Sequence, residues 1–397
     1  MTKPLEGIRV LDLTNVLAGP FCCHQLVHMG AEVIKIEAAG RGDLARQLGA
    51  DPELNEKAMG VSFLAQNAGK KSVTVNLKNP EGKALFLRLV ATADVVVENF
   101  RPGVMDRLGV GYDVLKGVNS TLIYCAISGF GQDGPWMYRP AYDQIVQGVS
   151  GAMSITGGAD SAPLRIGYPA ADTIGGMTAA FAIAAALNAR PRGSFIDVSM
   201  LESMLVTMGW VVSNYLIAGE EPKANGNENV TSAPSGAFRA GGGMINIAAN
   251  KDEQWHRLAG HLGLAHLTDR PDYATREARK RNRHALKAEL EAVLVTRPAG
   301  EWVTELNGIG VPAGAVMTVP DILQQPQIAD RGFLQGYENV PGADRDIEVA
   351  TTGIKLDGRA LKVDAPPPTL GQDNGAIWGA LGMTPAELIR LQEEGVL

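Results

Sequence analysis

In the stretch GYPAADTIGGMTAAFAIAAALNAR, Gly167 to Arg190, one carboxylate, Asp172, lies between two alanines and a Gly-Gly pair, ahead of a long alanine-rich apolar run. Two readings of that residue are open. Asp is a preferred cap for the helix that the apolar run predicts, because its side chain accepts from free N–H groups of the first turn. It can equally act on a ligand, with Gly175 and Gly176 leaving space beside it and the helix N-terminus favouring its ionised form. Positive charge for an anionic ligand is available at Lys78, Arg101, Arg107 and Arg139, each of which is otherwise a surface charge.

Other chemistries are poorly supported. Of the six histidines only His24 and His28 have helical ligand spacing, and no acid accompanies them, so the pair reads as one face of a helix and no metal site is expected. Glu37 ends a strand about where an acid would hold an adenosine ribose. However, LTNVLAGP lacks the G-x-G-x-x-G turn that brings backbone against a pyrophosphate, which argues against a dinucleotide cofactor. No G-x-S-x-G occurs, and Cys22, Cys23 and Cys125 have no histidine partner except by helix proximity.

These residues must be positioned by an α/β framework. GIRVLDL, AEVIKIE, SVTVNL, DVVVENF, TLIYCAIS and GSFIDVSM read as strands. Between the first four lie helical segments, AGPFCCHQLVHMG with Pro20 at a first helical position and PEGKALFLRLVATA opened by Asn79 and Pro80. Alternation of this kind implies a Rossmann-like parallel sheet covered on both faces, with ligands beyond the carboxyl ends of its strands. The loops Asn15 to Pro20, Glu37 to Asp43, Asn99 to Gly103 and Ser128 to Pro135 are therefore the expected site. LESMLVTMGWVVSNYLIAG reads as one helix ending at Gly219. Polar and turn residues then cluster, which predicts a linker over 219–235 between a large domain (1–218 and 330–397) and a smaller α+β domain (236–329). That smaller domain opens with a hairpin around Gly241 to Gly243, and its charge run TREARKRNRHALKAELEAVL reads as a solvated helix face.

Composition sets the outer limits. The chain has 397 residues, 45% hydrophobic and 20% charged, with a net charge of -7, the profile of a globular enzyme without global attraction to nucleic acid or anionic lipid. Three cysteines, two of them adjacent, give no disulfide framework and predict a cytoplasmic protein. The amino end lacks the order of a signal peptide. The most apolar run, Ala179 to Leu187, reads as too short to span a bilayer, so no membrane association is expected.

The segments KPLEGIRVLDLTNVLAGP, GAEVIKIE, NLKNPEGK, DVVVENFRPGVMDRLG, SGFGQDGP and YDQIVQGVSG, in this order and spacing, resemble family III CoA-transferases, the CaiB/BaiF family. The resemblance continues through GAFRAGGGMINIAAN to PPPTLGQDN. It implies that Asp172 aligns with a catalytic aspartate that attacks an acyl-CoA thioester and passes through a mixed anhydride and an aspartyl-CoA thioester to an acceptor carboxylic acid. It implies further that Val16, Ala18, Lys78, Asn99, Phe100 and Arg107 contact CoA, and that Tyr142 lines the acyl pocket. Coenzyme A is then a substrate, no cofactor is permanently bound, the carboxyl segment returns to the large domain, and two subunits interlock as a homodimer.

Three departures from the family pattern bear on specificity. Ala38 stands where some members carry arginine, which turns attention to Arg41 or Arg46 for a phosphate contact. Tyr142 and Asp143 stand where the racemase branch has His-Asp, removing one of two bases needed to exchange an α-proton; a 2-methylacyl-CoA racemase is thus the alternative enzyme, and a non-catalytic CoA-binding protein the alternative outside catalysis. The tetraglycine loop of formyl-CoA:oxalate transferases is absent. With Arg165 just before Asp172, that absence directs the reading to a dicarboxylate acceptor such as succinate, glutarate, itaconate or citramalate, its distal carboxylate held by the guanidinium.

Overall fold

The computed structural model describes residues 2–397. Its contacts divide them into two units, one comprising the chain up to Ala152, Arg165–Glu220 and Pro326–Leu397, the other Met153–Leu164 and Glu221–Gln325. Residues 153–164, assigned from sequence to the large domain, thus cluster with the second unit.

The first unit is built on β1 (Arg9–Asp12), α1 (Ala18–His28), β2 (Glu32–Glu37), β3 (Lys71–Thr74), α2 (Pro80–Val90), β4 (Val95–Glu98), α3 (Val104–Leu108), β5 (Ile123–Ser128), α4 (Asp143–Val149), α5 (Ala170–Asn188) and β6 (Ser194–Ser199). The six strands form one parallel sheet in the order β3-β2-β1-β4-β5-β6, with Val10 of β1 opposite Val33 on one side and Val95 on the other. Strands such as VVVE and IYCAIS are buried on both faces, as a sheet covered by helices requires. The chain order reverses between β1 and β4, so the loops that leave these two strands diverge and open a crevice.

Local chemistry fixes the helix starts. Asn79 caps α2 by accepting from the N–H groups of Glu81 and Gly82. Helix α1 begins two residues earlier than the proline suggested, at Ala18, so Pro20 is its third residue. Helix α5 begins at Ala170, which makes Asp172 its third residue and not its cap. At 19 residues, most of them apolar, α5 is long enough by length and composition to cross a bilayer, longer than the run read from sequence; here it packs against α1, β5 and β6. After β6 the apolar run continues as two helices, α6 (Met200–Thr207) and α7 (Gly209–Ala218), bent by 75° where a single helix was expected.

The second unit carries an antiparallel sheet of β7 (Ser235–Ala240), β8 (Gly243–Ala248) and β9 (Ala313–Ala315), the first two forming the expected hairpin. Phe238, Trp255, Leu290 and Trp302 lie in its own core. The charge run is two helices, α8 (Arg276–Arg281) and α9 (Arg283–Leu294), and it is not wholly solvated: Arg279 is buried and donates to the carbonyls of Ala233 and Tyr273. The carboxyl segment closes the first unit. The Asn374 amide accepts from the Thr74 N–H and donates to the Thr74 hydroxyl, while Trp378, Leu391 and Val396 join the core under β3 and β4.

Candidate active site

The crevice beyond β1 and β4 contains a cavity of about 220 Å³ lined by Val16, Ala18, Asn99, Phe100, Arg139, Tyr142 and Asp172, together with Arg101, Ile127 and Met200. Seven of the nine residues expected at the site from sequence therefore meet in one place. Lys78 lines a neighbouring cavity of about 530 Å³ with Arg41, Gly42 and Asp43, and Phe100 is shared between the two. Arg107, exposed on α3, lines neither.

Asp172 is carried on the first turn of α5, and among the described residues no side chain or backbone group donates to its carboxylate. Burial, reinforced by the nearby Asp143 carboxylate and opposed by Arg165, pushes its pKa up to about 7. The helix N-terminus thus does not hold it in the ordinary carboxylate range, contrary to the expectation from position alone. Gly175 and Gly176 do not open space for a ligand either. A Cβ on Gly176 would lie 2.4 Å from the Ala18 carbonyl oxygen, and one on Gly175 2.9 Å from Met200 Cγ. The glycines let α5 press against α1 and α6, which fixes where its first turn ends up.

Asp143, beside Tyr142 at the start of α4, is the residue that sequence reasoning undervalued. It accepts from Gln147 Nε2 at 2.7 Å, from the Ala171 N–H at 2.8 Å and from Arg165 Nη2 at 3.0 Å. Arg165 is therefore the counter-ion of a buried carboxylate and not the free fork expected for an acceptor. Arg139 has the opposite standing: it stacks over Trp136 at 4.4 Å, lines the Asp172 cavity and makes no ion pair with a described residue.

The loops around the cavity are tied together. Asn99 accepts from the Asn15 N–H and donates to the Asn15 carbonyl, both at 2.8 Å, so its amide clamps the β1–α1 loop to the end of β4. No sequence pattern marks that pairing across 84 residues. Arg46 cannot take over a phosphate contact, because it is buried, forks onto Glu37 and lies over the Phe63 ring. Glu37 is thereby engaged too, which removes the ribose-binding reading, and Arg41 remains the exposed arginine of that loop.

Residues 5–374 match the sequence profile described as CoA-transferase family III. The chain is 37% identical to a succinyl-CoA:glutarate CoA-transferase of Mus musculus, with 93% of this chain and 84% of that protein covered. It is 40% identical to an acetyl-CoA:oxalate CoA-transferase of Acetobacter aceti, with 85% and 88% covered. A crystal structure of a CaiB/BaiF family protein from Brucella suis superposes with a TM-score of 0.83 at 36% identity, over 96% of this chain and 100% of that one. The motif series, the sheet order and these likenesses agree: the chain belongs to CoA-transferase family III and is a CoA-transferase.

Proposed function

We propose that this enzyme moves CoA from an acyl-CoA to a free dicarboxylic acid with Asp172 as nucleophile. The observation that carries the reading is the Asp172 carboxylate, free of hydrogen bonds from described residues, in the cavity walled by the loops of β1, β4 and β5. An Asp172 oxygen attacks the thioester carbonyl carbon, the C–S bond breaks, and CoA thiolate leaves behind an acyl-aspartyl anhydride. The thiolate then attacks the aspartyl carbonyl, which expels the donor acid and forms an aspartyl-CoA thioester. The acceptor carboxylate displaces CoA to give a second anhydride, and thiolate attack on the acceptor carbonyl releases the new acyl-CoA and regenerates Asp172. Each displacement exchanges groups of similar energy, which is how covalent catalysis lowers the barrier.

The cavity with Lys78 and Arg41 suits the CoA phosphates, and Val16, Ala18, Asn99 and Phe100 suit the arm leading to Asp172, with Arg107 available only to an exposed part of the nucleotide. Tyr142 faces the acyl group. Arg139, rather than Arg165, supplies the charge for the acceptor's distal carboxylate. Two relatives named for glutarate and oxalate support a dicarboxylate class. The strongly exposed apolar side chains of α7 support a homodimer.

The test is exchange between succinyl-CoA or acetyl-CoA and a panel of acids, followed by mass spectrometry of the CoA esters. Asp172→Ala should fold and lose exchange, and hydroxylamine should trap an Asp172 hydroxamate during turnover of the wild type. Near wild-type turnover in Asp172→Ala would overturn the mechanism.

A further inference from the structure

Beneath the β1–α1 loop lies a set of charges that the mechanism above does not use. Asp12, at the end of β1, accepts from the Thr14 N–H at 2.9 Å, and Lys70 donates to Asp12 at 2.8 Å and to the Pro20 carbonyl at 3.0 Å. Lys35 of β2 donates to the Thr14 carbonyl at 2.9 Å and pairs with Asp43 at 2.8 Å. All four charged side chains are wholly buried.

The other oxygen of Asp43 reaches the site. Its Oδ1 accepts from the Val16 N–H and the Ala45 N–H, each at 2.9 Å. Val16 is held at φ 66°, a left-handed conformation that is unfavourable for a β-branched residue and persists only where surroundings impose it. Its surroundings here are the Asp43 carboxylate on its own N–H and the Asn99 clamp one residue before. Val16 and Leu17 form the wall between the Asp172 cavity and an apolar cavity lined by Phe21, Leu48, Val61 and Tyr168. Asp43 itself lines the cavity that holds Lys78 and Arg41.

We propose that Asp43 is a positioning residue: by holding Val16 left-handed it couples the Glu37–Asp43 loop, where CoA phosphates are proposed to sit, to the wall beside Asp172. The inference rests on the CoA-transfer reading. One carboxylate thus links two parts of the CoA site that are 27 residues apart in sequence. Asparagine cannot replace it, because an amide has a single oxygen: turned to Lys35 it sets the NH2 group against the Val16 N–H, and turned to Val16 it sets the NH2 group against the Lys35 ammonium.

Calorimetric titration with CoA tests this on four proteins: wild type, Asp43→Asn, Val16→Gly and the double variant. Asp43→Asn should weaken CoA binding by about tenfold or more. Glycine adopts the left-handed conformation without a carboxylate to impose it, so Val16→Gly should recover most of that loss in the Asp43→Asn background. Unchanged affinity in Asp43→Asn, or a loss that Val16→Gly leaves untouched, would overturn the proposal. Hydrogen exchange on the wild type gives a reading independent of any variant's folding: CoA should slow exchange in residues 14–18 and 41–45 together, and protection of one segment without the other would sink the coupling. A wild type that bound no CoA would instead remove the functional reading itself, an outcome separate from the variant results.

Discussion

At the residue scale, the proposed attack by Asp172 requires its ionised form, and burial with Asp143 pushes its pKa up to about 7. Activity at low acyl-CoA concentration should therefore rise with pH through an acid limb near that value, since kcat/KM reports the free enzyme. Asp143→Asn removes the like charge and should move the limb downward, whereas Arg165→Ala removes the opposing cation and should move it upward. Arg165→Ala should also act alike on all acceptors, because the arginine faces Asp143 and not the cavity. Arg139→Ala should behave differently, raising KM for glutarate by about tenfold or more while sparing monocarboxylates of matched length; equal losses on both classes would assign Arg139 to CoA. Asp172 and most of the residues that line its cavity were legible in the motif series. The separate fates of Arg139 and Arg165 were not, because both are arginines near the same motifs and only tertiary packing gives one of them a carboxylate partner.

At the element scale, the strands were legible because buried parallel strands are short β-branched runs punctuated by turn residues. The bend between α6 and α7 was not, since the apolar run passes through Met208 and Gly209 without a change of composition. Nor was the work of Gly176 visible from the chain, where glycine beside a carboxylate reads as ligand space. Its contact with α1 yields a prediction in which two effects oppose. Gly176→Ala gains about 1 kcal/mol of helix propensity, but overpacking costs about 1–3 kcal/mol, and the obstruction is a backbone oxygen of α1 that cannot rotate away. Net destabilisation should appear as a lower melting temperature, with kcat falling as well because the first turn of α5 carries Asp172. A more stable, fully active Gly176→Ala variant would show that the two helices separate freely.

At the scale of the whole molecule, two features depend on the assembled chain. His24 and His28 are buried with their Nε2 atoms 3.2 Å apart, and His28 Nδ1 meets the Leu361 carbonyl of the returning carboxyl segment at 2.8 Å. Burial lowers both pKa values, so the folded state keeps the rings neutral while the unfolded chain takes up protons below about 6.5. Stability contributed by this pair is present above that pH and lost as pH falls below it; His24→Gln should flatten the acid side of a melting-temperature profile. The other feature is the outer face of α7, which buries no side chain and exposes Trp210 at 84% and Ile217 at 85%. Scattered apolar residues on a surface need no explanation, but a helix that exposes Trp210, Tyr215, Leu216 and Ile217 together does. We propose a second copy of the chain as its occupant, because family resemblance implies a homodimer and a self-complementary patch is what a two-fold interface uses. Sedimentation should give a dimer at micromolar concentration. Trp210→Glu with Ile217→Glu should shift the population to monomer without loss of secondary structure, since neither side chain has a core to leave. A monomeric wild type, or a dimer indifferent to both charges, would place the interface elsewhere or remove it.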